Sequence, residues 1–302
     1  MAAKRDWYGR DAGLAARMFV VMLLLAALYL GFVVVLVDLR VPLGFLILIV
    51  GALALSQYYF SDQLVLLASG ARILTPSQAP ELYAVLERLA QLADVPRPRL
   101  GLIPTAMPNA FATGRNPQHA VIVVTQGLLN RLDPEEVEAV LAHEMTHVKN
   151  HDVAVITLAS FFAMVAAFLA QQFLWLGFGF EDERDRGGIN AGILIWVASV
   201  VVWAISYVLI QTLSRYREYA ADRGSAILIG HPAHLASALT KIERGVAHTP
   251  DRDLRQAEAF NAFFIFPALR RNSLMELFAT HPSIEHRLRY LEKLQQEMEK
   301  RR

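Results

Sequence analysis

The chain has 302 residues, of which 55% are hydrophobic and only 19% charged, and its mean hydropathy is +0.34. That is too apolar for an ordinary soluble domain, while a net charge of +1 without a basic patch argues against a nucleic-acid surface. The absence of cysteine excludes disulfides and leaves His, Asp and Glu to hold any zinc ion.

Four apolar runs reach the ~20 residues that a bilayer crossing takes. The first, Met18 to Val37, lies between Arg17 and Asp38; the second, Val41 to Phe60, ends in Tyr58 and Tyr59, which suit a membrane interface. A cleaved signal peptide is not expected, because the first run is long and a second follows almost at once. Polar sequence then begins. A helix is predicted over Pro80 to Ala93, apolar at Leu82, Val85, Leu86 and Leu89, and a strand over Ala120 to Thr125.

The next helix is well marked. Asp133 is a good N-cap, Pro134 suits the first helical position, Glu136 completes a capping box, and Val137, Val140 and Leu141 form an apolar stripe. This helix carries His143-Glu144-Met145-Thr146-His147, an H-E-x-x-H motif. Residues four apart share a helix face, so two imidazoles can grip one metal ion, and Glu144 is placed to handle the proton of an attacking water. Histidines on the surface of an amphipathic helix are the blander alternative. His151 continues the four-residue spacing, but about 12 Å along the axis from His143 it is not expected to share the metal.

The third apolar run, Val153 to Phe180, is interrupted only by Gln171 and Gln172; the fourth, Ile189 to Leu213, contains Trp196 and Trp203. A hairpin packed on a domain without crossing is the alternative for this pair. Lys4, Arg5, Arg10 and Arg17 precede the first run, and Arg215, Arg217 and Arg223 follow the fourth. By the positive-inside rule both termini are cytoplasmic, and so are residues 61–152 and 214–302. The hairpin then returns the chain to the side of His147. Glu218 is a natural third ligand there, and Asp222, one turn further on, can accept the second ring N–H of a ligating histidine. Counted along helices, His147 lies about 9 Å from the start of the third run and Glu218 about 7.5 Å beyond the fourth, which gives the two a matching height.

With these residues in view, the chain resembles the HtpX-type membrane metalloproteases, relatives of the CAAX prenyl proteases and, more distantly, of thermolysin-like enzymes. The resemblance covers nearly the whole chain. It implies one zinc ion per chain bound by His143, His147 and Glu218, with Glu144 as general base, and a setting in membrane-protein quality control. It extends to Pro108-Asn109-Ala110-Phe111, since a similar stretch in thermolysin-like enzymes is an edge strand that binds substrate backbone; Asn109 and Ala110 are then substrate-binding, and a plain turn is the alternative. It also extends to His281-Pro282 and Arg287. His281 is expected either to stabilise the oxyanion or to cap the metal, helix capping being the alternative, and Arg287 to orient the site or pair with an acid.

The expected architecture is a mainly α membrane protein: four transmembrane helices and a cytoplasmic gluzincin-like α+β metalloprotease domain with a small sheet. Residues 1–60 hold two spans, 61–152 the first half of the protease domain, 153–213 a transmembrane hairpin and 214–302 the second half. The expected activity is zinc endopeptidase cleavage of membrane or misfolded proteins, at the cell inner or plasma membrane. The expected partners are protein or peptide substrates and membrane lipid, with no nucleic acid; homo-oligomers and quality-control partners stay open. A CAAX-type prenyl-protein protease and a non-catalytic scaffold with structural zinc are the competing readings.

Overall fold

The computed structural model describes residues 12–42, 44, 47–48, 50–52, 55, 65–67, 69–176, 191–247 and 282–300. The described chain is mainly helical with one small sheet, and it divides into two compact units. One comprises Met1–Ala15, Phe60–Ala154 and Ser214–Arg302; the other comprises Ala16–Tyr59 and Val155–Leu213.

The second unit is built from apolar helices. Helix α1 (Ala12–Asp38) has 27 residues, about 40 Å at ~1.5 Å per residue, enough for a hydrocarbon layer of ~30 Å. One stripe of it is buried, at Val21, Leu25, Tyr29, Phe32 and Leu36, while Phe19, Leu23, Leu24 and Leu30 are exposed. Exposed aliphatic side chains along a whole helix suit lipid rather than water. Tyr29 Oη donates to the Ala159 carbonyl at 2.8 Å, which ties two helices of this unit. Among the described residues three helices are long and apolar enough to cross a membrane, within Ala12–Asp38, Asp152–Gln171 and Gly192–Ile229. Most of the expected second span, Val41 to Phe60, and the loop Glu181 to Gly188 lie outside the described residues.

The first unit holds the sheet. Strands β1 (Arg72–Ile73), β2 (Arg99–Ile103), β3 (Ala110–Thr113) and β4 (Val121–Thr125) follow the order β1-β2-β4-β3. β2 runs parallel to β4, and the two outer strands are antiparallel to their neighbours. Helix α2 (Pro80–Ala93) packs Tyr83, Leu86, Leu89, Ala90 and Ala93 into the core and ends at Asp94 in a left-handed conformation. Beneath the sheet's Val121, Ile122, Val123 and Val124 runs helix α3 (Pro134–Lys149), which buries Ala139, Val140, Leu141, Ala142 and Met145. Its capping box is formed: Glu136 Oε2 accepts from the Asp133 N–H at 2.9 Å.

Helix α3 stops earlier than the histidine spacing implies. Asn150 closes it, His151 turns left-handed at φ 56°, and helix α4 (Asp152–Leu176) begins at the next residue. His151 therefore does not continue the ladder; it is exposed, in the break. The helical distance of about 9 Å from His147 to the third run, which assumed unbroken helix, does not apply. Helix α5 (Ala191–Ile229), in contrast, is continuous for 39 residues and carries Glu218 and Asp222. Helices α6 (Pro232–Ala247) and α7 (Ile284–Glu299) complete the unit, with Leu235, Leu239, Ile242, Ile284, Leu291 and Leu294 in the same core.

Candidate metal centre

α3 brings His143 and His147 one turn apart, and α5 lays Glu218 across them. One ligand atom from each lies within 4.8 Å of the others. The two Nε2 atoms are 3.1 Å apart; Glu218 Oε2 is 3.6 Å from His143 Nε2, and Oε1 is 3.6 Å from His147 Nε2. His143 is fully buried, and the His147 side chain is 14% exposed, so only the second imidazole meets solvent.

Both rings turn their other nitrogen to a carboxylate. His143 Nδ1 is 3.1 Å from Asp222 Oδ1, and His147 Nδ1 is 2.6 Å from Asp152 Oδ2. A carboxylate facing Nδ1 favours the Nδ1–H tautomer, which leaves Nε2 as a lone pair. Two such lone pairs and a carboxylate then converge on one point. That arrangement is repulsive without a positive charge between the groups, and it is the donor set a divalent ion of zinc type takes. The residues therefore fit a metal.

Positive charge behind the acids balances the cluster. Arg287 from α7, only 2% exposed, donates through Nε to Asp222 at 2.9 Å and through Nη2 at 2.5 Å, and its Nη1 lies 3.1 Å from Glu218 Oε2. Arg217, beside Glu218 on α5, pairs with Asp152 and donates to the Asn150 carbonyl at 2.9 Å. Sequence reading singled out Asp222 and Arg287 but gave His147 no partner. The pairing of His147 with Asp152 and Arg217 is not legible in the sequence, because it depends on the break between α3 and α4.

Protonation follows from this packing. Burial disfavours a charge on His143, but hydrogen bonds to Asp222 and Glu218 outweigh that and raise it to about 9. Burial and then the charge of His143 push His147 down to about 3. The two imidazoles, so close together, do not both carry a charge. Glu144, 2% exposed, is raised by burial to about 7 against the pull of His143, and the charge of Glu218 adds to the rise.

The strand beside Glu144 is anchored at its start. Asn109 is buried; its N–H donates to Thr125 Oγ1 at 2.8 Å, its carbonyl accepts from the Thr125 N–H at 3.0 Å, and its Oδ1 accepts from the Ala110 N–H at 3.0 Å. Ala110 opens β3, which stands last in the sheet order and so has one side without a strand neighbour among the described residues. The backbone of Ala112 on this strand favours the ionised form of Glu144. Gly114 ends the strand at φ 128°, where an added Cβ would lie 2.7 Å from the His119 carbonyl oxygen. A small cavity of about 10 Å³ follows, lined by Thr113, Gly114, Arg115, His147, Val148 and His151. His281 lies outside the described residues.

An H-E-x-x-H helix, a glutamate from a second helix and long apolar helices define a membrane-bound metalloprotease. The model of peptidase family M48 matches residues 76–295, and the chain belongs to that family. It is 60% identical to the Protease HtpX homolog of Moorella thermoacetica, a match covering 99% of this chain and 100% of that one. It is 50% identical to Protease HtpX homolog 2 of Methanosarcina acetivorans, over 98% and 99% of the two chains. Among solved structures, S. mikatae Ste24p superposes with a TM-score of 0.55 at 20% identity, covering 93% of this chain and 67% of that one, a likeness of fold. With relatives of this identity named proteases, the prenyl-protease and structural-zinc readings are not favoured.

Proposed function

We propose that the chain is a zinc endopeptidase that cleaves membrane or misfolded proteins at the cytoplasmic face of the cell membrane, with His143, His147 and Glu218 as ligands of one zinc ion. The convergence of His143 Nε2, His147 Nε2 and a Glu218 oxygen within 4.8 Å carries this reading. Zinc, when bound, supplies a Lewis acid for the scissile carbonyl. Glu144 is the general base: it accepts a proton from the attacking water and delivers it to the leaving amide nitrogen. Asp222 and Arg287 hold His143 and Glu218 in place through the contacts already given.

The outer side of β3, from Asn109 and Ala110 onward, receives the substrate as an added strand. Main-chain recognition of this kind accepts many sequences, which suits a protease acting on misfolded proteins. His281, by family resemblance, contributes to the oxyanion site or covers the metal between turnovers.

The test is casein digestion and metal analysis on the detergent-purified protein. Glu144→Gln should abolish proteolysis while zinc stays bound, because every ligand remains. Loss of zinc from that variant, or retained proteolysis, defeats the assignment. His143→Ala, His147→Ala and Glu218→Ala should each lower zinc occupancy.

A further inference from the structure

His143 and His147 are backed by two chains of the same composition. Behind His143 stand Asp222 and Arg287; behind His147 stand Asp152 and Arg217. We infer that Asp152, clamped by Arg217, is a positioning residue for His147, and that this second His–Asp–Arg chain fixes the metal-facing nitrogen of that ligand. The inference rests on His147 being a ligand.

Local geometry shows that the contact is built rather than incidental. In a continuous helix residues five apart point about 140° away from each other, so Asp152 could not reach His147. The break between α3 and α4 removes that obstacle. His151 adopts φ 56°, a conformation uncommon outside glycine, and the turn brings Asp152 Oδ2 to 2.6 Å from His147 Nδ1. A backbone held this way needs support from its surroundings. Arg217 provides it by binding both sides of the break, the Asn150 carbonyl at 2.9 Å and the Asp152 carboxylate.

Burial sharpens the role. The side chains of Asp152 and Arg217 are 7% and 6% exposed, so each charge depends on the other. With one oxygen of Asp152 on the guanidinium and the other on the imidazole, the ring has one orientation, with Nε2 toward His143 and Glu218. Arg217 also neighbours Glu218 in sequence, so a single clamp relates the α5 ligand to the second ligand of α3. Position along a helix hides this pairing; only the break reveals it.

The experiment uses the full-length protein in detergent, with zinc affinity read by chelator competition and the site reported by the visible spectrum of the cobalt-substituted protein. Asp152→Ala should weaken zinc binding by about 10- to 100-fold and alter the cobalt spectrum. Asp152→Asn keeps an acceptor for Nδ1–H and should lose less affinity, while still shifting the spectrum, because the acceptor is neutral. Wild-type affinity and spectrum in Asp152→Ala overturn the inference, whatever its melting temperature. Should the alanine variant not fold, an unchanged spectrum and affinity in Asp152→Asn overturn it equally. His147→Ala separates this inference from the one beneath it. If His147→Ala keeps its zinc, the ligand assignment fails and the inference with it; if His147→Ala loses zinc and Asp152→Ala does not, only the role of Asp152 fails.

Discussion

At the scale of single residues, the closeness of the two imidazoles governs the chemistry of the site. With Nε2 atoms 3.1 Å apart and each Nδ1 on a carboxylate, a charge on His143 is favoured and a second charge on His147 is opposed. His143 is raised from 6.5 to about 9, so in that window the folded site keeps a proton that the unfolded chain has released. The stabilisation from this proton is therefore complete below about 6.5 and lost as the pH rises through about 9. Metal must displace the same proton. Zinc affinity of the metal-free protein should accordingly rise from pH 6 to pH 9 with release of about one proton, measured by calorimetry in buffers of different ionisation enthalpy. A flat profile would count against a proton held on His143. Glu144, the general base proposed above, has the opposite requirement, since a base must be ionised. Burial raises it to about 7 and a bound cation pulls it back, so the acid limb of kcat/KM should fall between its ordinary 4.5 and about 7.

At the scale of elements, helix α3 is anchored at its first turn. Asp133 and Glu136 close the capping box, Lys241 of α6 reaches both carboxylates at 2.7 Å, and Ser237 donates to Glu136 Oε1 at 2.7 Å. Asp133→Ala should cost about 1 kcal/mol of stability through the lost cap, seen as a lower melting temperature with zinc binding retained. The capping box was legible in the sequence because every part lies within four residues. So was β4, a run of β-branched residues that became Val121–Thr125. The break at His151 was not legible: the sequence offers no glycine or proline there, and Arg217, which holds the turn, comes from a helix far along the chain. The same limit applied to Asn109, where turn and strand were both open. Thr125, 16 residues on, decides it by bonding both the N–H and the carbonyl of Asn109.

At the scale of the whole molecule, the two compact units are made of different segments of one chain, and α5 supplies both an apolar stretch and Glu218. The membrane orientation proposed above has a direct test, because the chain contains no cysteine. A cysteine introduced at Gly188 should react with an impermeant reagent from outside the cell, and one at the exposed Gln118 should react only once the membrane is opened. The reverse pattern would invert the orientation. Protection of both would mean that the hairpin over 153–213 does not cross.

What the sequence determined by itself is what short spacings and composition encode. The apolar runs, the capped helix and the four-residue interval between His143 and His147 need no partner from elsewhere in the chain. Glu218 and Asp222 could be singled out for a similar reason: they are one turn apart in a single helix. What only the tertiary structure decided is which buried charges neutralise each other. Arg287 on Asp222 and Glu218, and Arg217 on Asp152, are pairings between helices distant in sequence. Their partners are selected by the high cost of leaving a charge unpaired in the interior, and that cost exists only once the helices have packed.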